Sequence, residues 1–204
     1  MSRVDNDKQP VAIEYLTNRF CRIDILDNQP IDIDMGCGKG GFLLELARRH
    51  PERLVIGSDV MVGRLRKVAS LIEQAGLNNV RLLRANNREL VEYQLPDKCV
   101  TRLHILCPDP WPKARHRDRR LLNSDSLFRI PRIMKDGGII HISTDDEAYL
   151  KLIRCSLAEA PQFKWMHADA IEDVVDIETE FEKQWKAAGK KVEHIVLKLC
   201  RNQT

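Results

Sequence analysis

A chain of 204 residues, 43% hydrophobic and 31% charged, carries enough apolar content for one packed core and is too apolar for a disordered polymer. Its formal net charge of +3 is too small to select a polyanion by bulk charge. The six cysteines form no C-x-x-C pair and no Cys/His ligand spacing, so no metal site is expected and reduced thiols are the simplest account.

The opening residues "MSRVDNDKQPVA" contain no apolar signal core, and no apolar run reaches membrane-spanning length. The expectation is a cytoplasmic chain with no membrane contact, folded as a single domain over 1–204. Its core covers about residues 30–200, after a short N-terminal extension over 1–29. From there strand and helix signals alternate. "PIDIDMG" (30–36) reads as a buried strand ending in glycine, and "GFLLELARRH" as a helix with basic residues in its last turn. "RLVIGSD" (53–59) is a second strand. The helix after it places Val62, Leu65, Val68, Ala69, Ile72 and Ala75 on one face and stops at Gly76. "NVRLL" (79–83) and "CVTRLHILC" (99–107) are the third and fourth strands. "NSDSLFRIPRIMKDGG" reads as a helix bent at Pro131 and stopped by Gly137-Gly138. "IIHIS" is a fifth strand, and "DDEAYLKLIRCSLAEA" a further helix. "FKWM" and "HIVLKLC" close the chain as strands with no helical pattern evident between them, which predicts an antiparallel finish.

Alternation of this kind predicts an α/β fold: a mostly parallel, seven-stranded sheet with an antiparallel last strand and helices on both faces. Ligands of such sheets bind beyond the carboxyl ends of the strands. Five polar residues fall there, Asp34, Asp59, Asn86, Asp109 and Asp145, one at each of the first five strand ends. "DMGCGKGG" supplies Gly36, Gly38, Gly40 and Gly41 at the first turn. It satisfies G-x-G-x-x-G and fails the NTP-loop pattern, because glycine follows Lys39. Asp59 lies 59 − 41 = 18 residues past the last glycine, near the spacing of an acid that grips ribose hydroxyls. Spacing alone leaves NAD and S-adenosylmethionine both open. A second nucleotide-binding half, usual for hydride enzymes, is missing. Asp34 beside the glycines suits the amino group of a methionine moiety, and Asn86 with its neighbour Asn87 suits an adenine edge. A plain polar turn explains Asn86-Asn87 equally well.

The fourth strand end leads into "PDPWPKARHRDRR" (108–120). Five of the 33 Lys and Arg residues, Lys113, Arg115, Arg117, Arg119 and Arg120, fall within eight positions there, directly after Asp109. Guanidinium groups on the ligand side of the sheet suit phosphates and fix register without reading sequence. Guanine presents N1–H and N2–H₂ as adjacent donors, which one carboxylate accepts together; adenine has no such pair. Guanine N7 carries an in-plane lone pair, so its methylation needs alignment and charge stabilisation and no general base.

The chain resembles the bacterial tRNA (guanine-N7)-methyltransferase family. "DMGCGKGGFL" is similar to its cofactor loop, "PDPWPKARHRDRR" to its most distinctive segment, "STDDEAY" to its acidic fifth-strand end and "TEFE" (179–182) to its late substrate-binding motif. The resemblance implies a Rossmann-like class I fold, S-adenosyl-L-methionine as methyl donor and the variable loop of tRNA as substrate. It implies donor binding by Asp34, Gly36, Gly38, Asp59, Asn86 and Asn87, and a catalytic-site acid in Asp109. Substrate contacts fall to Lys113, Arg115, Arg117, Arg119, Arg120, Asp145, Thr179, Glu180, Phe181 and Glu182. Thr179 and Glu182 also read as a capping box opening an exposed helix. Asn86 stands where many members carry Asp, Asp146 where an aromatic often follows, and Cys107 where a larger apolar residue often precedes "PDP". A methyltransferase of the same fold with another substrate, and a non-catalytic RNA-binding module, are the alternatives; monomer and homodimer are both open.

Overall fold

The computed structural model describes residues 11–25, 29–109, 122 and 124–201. Its frame is an eight-stranded sheet in the order β1-β4-β3-β2-β5-β6-β8-β7. The strands are β1 (Ile13–Tyr15), β2 (Ile31–Met35), β3 (Leu54–Asp59), β4 (Val80–Arg84), β5 (Val100–Leu106), β6 (Met134–Thr144), β7 (Phe163–Trp165) and β8 (Glu193–Leu199). All pairings from β1 through β6 are parallel, and β8 runs antiparallel to both β6 and β7. Order reverses between β2 and β5, so a crevice for ligand opens beyond Met35 and Leu106.

Both sheet faces are covered. β2 is buried along its whole length, as a central parallel strand must be. Ile31, Ile33, Leu103, Ile105, Ile140 and Ile142 face one apolar cluster, shared with α4 (Ser124–Ile133) and α5 (Glu147–Ala158). The other face receives Leu43 and Leu46 from α1 (Gly41–Arg49), Leu65 and Ile72 from α2 (Val62–Ala75), and Ile171 and Val174. The α2 stop falls where predicted: Gly76 takes φ 66°, and Leu77 N–H donates to Ile72 O at 3.2 Å. Further helical segments are α3 (Asn87–Glu89), continued by a π-helical stretch over Leu90–Gln94, a 3₁₀ turn at Ala168–Ile171, and α6 (Glu180–Ala187). Among the described residues no helix is long and apolar enough to cross a membrane.

Three expectations need correction. The sheet has an eighth strand, because Ile13–Tyr15 of the extension pairs with the β4 edge; three residues lack enough alternation to announce themselves. Helix α4 ends at Ile133, short of Gly137-Gly138. Residues 134–138 join β6 instead, where Val100 faces Met134 but Arg102 faces Ile139, and Gly137 takes φ 75° in the resulting irregularity. Between β7 and β8 the chain does form a helix, α6, yet the two strands are antiparallel neighbours.

Candidate functional site

The glycine loop is closed by backbone bonds that need left-handed residues. Gly36 N–H and Cys37 N–H both donate to Ser58 O at 2.9 Å, and Gly40 N–H to Cys37 O at 2.8 Å, with φ 86° at Gly36, 56° at Gly38 and 80° at Gly40. The third of these also permits close packing: a Cβ on Gly40 would lie 2.8 Å and 2.9 Å from the two Val68 methyls. Gly40→Ala is therefore expected to cost about 2–4 kcal/mol of stability, read by denaturant unfolding, from left-handed strain and overpacking together. By contrast, a Cβ on Gly36 or Gly38 would make only ordinary van der Waals contacts, with Asn87 Nδ2 at 3.6 Å and Gly36 O at 3.8 Å, so the loop is not overpacked there.

Two carboxylates frame that loop. Asp59, at the end of β3, accepts Met61 N–H at 2.7 Å through Oδ1 and Gly38 N–H at 3.2 Å through Oδ2, which ties the second strand end to the loop. Asp34 lies one strand inward, is 3% exposed, and receives no hydrogen bond from any described residue. Burial first, then the charges of Asp59 and Glu182, push its carboxyl up to about 7. The third strand end divides its two asparagines. Asn86 caps α3 by accepting Arg88 N–H at 2.9 Å, the polar-turn geometry, while its amide faces solvent. Asn87 turns inward: its Oδ1 accepts Ser58 Oγ–H at 2.9 Å, and its Nδ2 lies 3.6 Å from where a Gly36 Cβ would be.

Chain-distant pieces converge beside this loop. Cys107, the first residue past β5, adopts φ 51° although it is not glycine. It is held there by Cys107 N–H donating to Ser143 O at 2.9 Å and by Sγ contacts to Ser143 Oγ (3.5 Å) and Thr179 Oγ1 (3.6 Å). Pro108 follows, and Asp109 stands exposed at the crevice end of β5. Thr179 caps α6 in a full capping box: Thr179 N–H donates to Glu182 Oε2 at 2.6 Å and Glu182 N–H to Thr179 Oγ1 at 3.1 Å. The next residue, Glu180, reaches the glycine loop, its Oε1 3.9 Å from a Cβ built on Gly41. Phe181 is half exposed and stacks on Trp185 with centroids 5.7 Å apart. Glu182 differs from its neighbours: it is 2% exposed and spent on the cap, so it anchors the helix. Asp145 lies just past β6 on a cavity of about 640 Å³ lined also by Thr144, Leu150, Arg154 and Lys190. Lys190 Nζ donates to Asp145 at 2.8 Å. Lys113, Arg115, Arg117, Arg119 and Arg120 lie outside the described residues.

Sequence reasoning missed Trp185 and Lys190, whose ammonium sits 5.7 Å from the Trp185 ring centroid. It also missed Glu182's burial; the capping-box spacing was the available signal.

Residues 28–195 match a family described as "Putative methyltransferase". The tRNA (guanine-N(7)-)-methyltransferase of Thermotoga maritima is 34% identical over 85% of this chain and 55% of its own length. The enzyme of the same name from Rhodospirillum rubrum is 33% identical over 83% of this chain and 69% of its own. The chain belongs to the tRNA (guanine-N7)-methyltransferase family. It spans just over half of the Thermotoga relative. Among solved structures, the 16S rRNA methyltransferase KamB superposes with a TM-score of 0.61 at 18% identity, covering 85% of this chain and 89% of that one, a likeness of fold. Family and fold imply S-adenosyl-L-methionine as cofactor. The residues present fit it: a left-handed glycine loop without overpacking at Gly36 and Gly38, an acid at the end of β3, and a buried carboxylate with no hydrogen-bond donor among the described residues to meet a cationic amine.

Proposed function

We propose that this protein transfers a methyl group from S-adenosyl-L-methionine to N7 of a guanine in the variable loop of tRNA, with residues 30–200 as the catalytic core. What supports this reading most is the meeting of three sequence-distant groups at one crevice: the glycine loop with Asp34, the β5 corner bearing Asp109, and the α6 start at Thr179–Phe181. Held there, the donor would supply an electrophilic sulfonium methyl whose sulfur would leave with the S–CH₃ bonding pair as a neutral thioether, so guanine N7 would need only its own lone pair.

The chain's task is then binding and aim. Asp34 pairs with the donor's amino group and Asp59 accepts from ribose hydroxyls. Gly36 and Gly38 let the backbone approach, and Asn87, with Asn86 at the rim, meets the adenine edge. Asp109 accepts N1–H and N2–H₂ of guanine, fixing which purine enters and steadying the positive charge that grows on its ring. Glu180 and Phe181 wall the base, and Asp145 contacts substrate once Lys190 releases it. Lys113, Arg115, Arg117, Arg119 and Arg120 follow the tRNA backbone, a partner that suits a cytoplasmic location. Replacing Arg117 and Arg119 together is expected to weaken tRNA binding and flatten its salt dependence by about one unit of log–log slope per lost phosphate contact. Filter binding across a salt series reads this.

The deciding experiment is methylation of bulk tRNA with labelled donor, followed by chemical cleavage at 7-methylguanosine. Cleavage in the variable loop supports the reading. Label retained on a tRNA whose variable-loop guanine is changed to adenine overturns it.

A further inference from the structure

Three histidines form a row through the interior. His104 on β5 and His141 on β6 are register partners, and their Nδ1 atoms face each other at 3.2 Å. His141 Nε2 lies 2.9 Å from Nδ1 of His194 on β8, with the two rings 23° from coplanar. The far nitrogen of His194, Nε2, faces Glu182 Oε1 at 3.8 Å. His104 and His141 are buried, and Phe42 of α1 packs its ring 4.8 Å from His104. Two polar atoms of the row are buried without a hydrogen-bond partner: His104 Nε2 at one end and Glu182 Oε1 at the other.

Proton counting gives the row a direction. Burial holds His141 down at about 3, His104 well below its ordinary value and His194 below it, so all three are neutral, with one N–H each. The facing Nδ1 pair needs one donor and one acceptor, and so does the His141–His194 pair. If His141 donated to His104, His104 would bury an unpaired N–H at Nε2. His194 would then spend its single proton on His141 and aim a lone pair at the Glu182 carboxylate. In the opposite sense His104 Nδ1–H donates to His141 and His141 Nε2–H donates to His194. That leaves His194 Nε2–H pointing at Glu182 Oε1. One unpaired lone pair remains, on His104 Nε2, which is cheaper to bury than an unpaired N–H there together with a His194 lone pair set against the Glu182 carboxylate at the other end.

We infer that the His104–His141–His194 row is a positioning device: it turns an N–H toward Glu182 Oε1, an electrostatic contact at 3.8 Å that is longer than a hydrogen bond, and so favours the observed placement of the α6 start, Thr179 to Phe181, at the donor end of the sheet. Glu182 is well placed to transmit this, since its other oxygen holds Thr179 N–H and Thr179 touches the Cys107 corner. His194 acts through Glu182 and contacts no substrate itself. The kinetic part of this inference rests on the tRNA reading above; the proton order does not.

Two measurements on the intact chain test it. In ¹⁵N-resolved NMR of the histidine rings, His104 is expected as the Nδ1–H tautomer, the minor form of free imidazole, with His141 and His194 both Nε2–H. A His104 Nε2–H signal overturns the row's direction and with it the proposal. Kinetically, His194→Leu is expected to raise KM for tRNA about tenfold while donor affinity by calorimetry stays within about twofold. His194→Gln, which keeps a donor toward Glu182, is expected to recover most of the loss. A folded His194→Leu protein with unchanged KM, or equal loss in both variants, overturns the positioning role. Should His194→Leu fail to fold, the wild-type tautomers and the Gln variant still decide. Wild-type protein inactive on tRNA, with the tautomers as expected, would remove the substrate reading and leave the row standing.

Discussion

Asp109→Ala is expected to lower kcat/KM for tRNA methylation by about 100-fold or more while leaving donor affinity within about twofold. The first part follows from what the carboxylate does that water does not. In the proposed reading it accepts both edge donors of guanine at once and lies near a ring that gains positive charge. A preorganised charge of that kind is lost outright on truncation, because solvent must reorganise to replace it. The second part follows from position. Asp109 lies past β5, whereas Asp34 and Asp59 belong to β2 and β3 and the glycine loop follows β2. Asp109→Asn is a sharper control. Its amide offers one acceptor and one donor, so it must set an N–H against a guanine N–H and is expected to recover little. Single-turnover assays with labelled donor, paired with calorimetry, separate the two effects. Full turnover in the Ala variant would remove Asp109 from the reaction.

Donor binding is expected to strengthen about tenfold between about pH 6 and pH 8 and then level off. Asp34→Asn is expected to abolish that rise and most of the affinity. The sign comes from the raised Asp34 carboxyl, at about 7 in the folded chain against 3.8 for an unperturbed one. Below about 7 the group is protonated and offers a cationic amine no charge. Above it the carboxylate forms. The unliganded protein responds in the opposite sense. Between the two values the native state holds a proton that the unfolded chain has released, so stability falls as pH rises from about 4 to about 7. Asparagine removes that burden. Unliganded Asp34→Asn is therefore expected to be more stable than wild type at pH 8 by an amount on the order of 2–4 kcal/mol, read by urea unfolding. A variant both more stable and unable to bind donor would mark Asp34 as a functional group held against the preference of the fold.

The strand–loop–helix at 31–49 was legible because three signals agreed there: an apolar run, glycines where φ must be positive, and helical spacing from Gly41. Asp59 was legible from its distance to that loop, and its bond to Gly38 N–H gives the spacing a physical sense. Asn86 and Asn87 could be named but not ranked, because which amide turns inward depends on Ser58, 29 residues before Asn87. Glu182 was assigned to the pocket and proves buried, since the same T-x-x-E spacing serves capping and substrate contact alike. The histidine row was invisible. Its members are separated by 37 and 53 residues, and only strand register brings them onto one face.

The bend at Cys107 has a bearing on how this site tolerates change. A side chain seldom chooses that backbone shape unaided, so the shape is imposed by Ser143 and Thr179 from two other parts of the chain. The aim of the residue two places on is consequently a collective property, set by neighbours that share no sequence proximity. A substitution at Ser143, which is assigned no contact with tRNA or cofactor, is therefore expected to change the proposed reaction from a position that looks merely architectural.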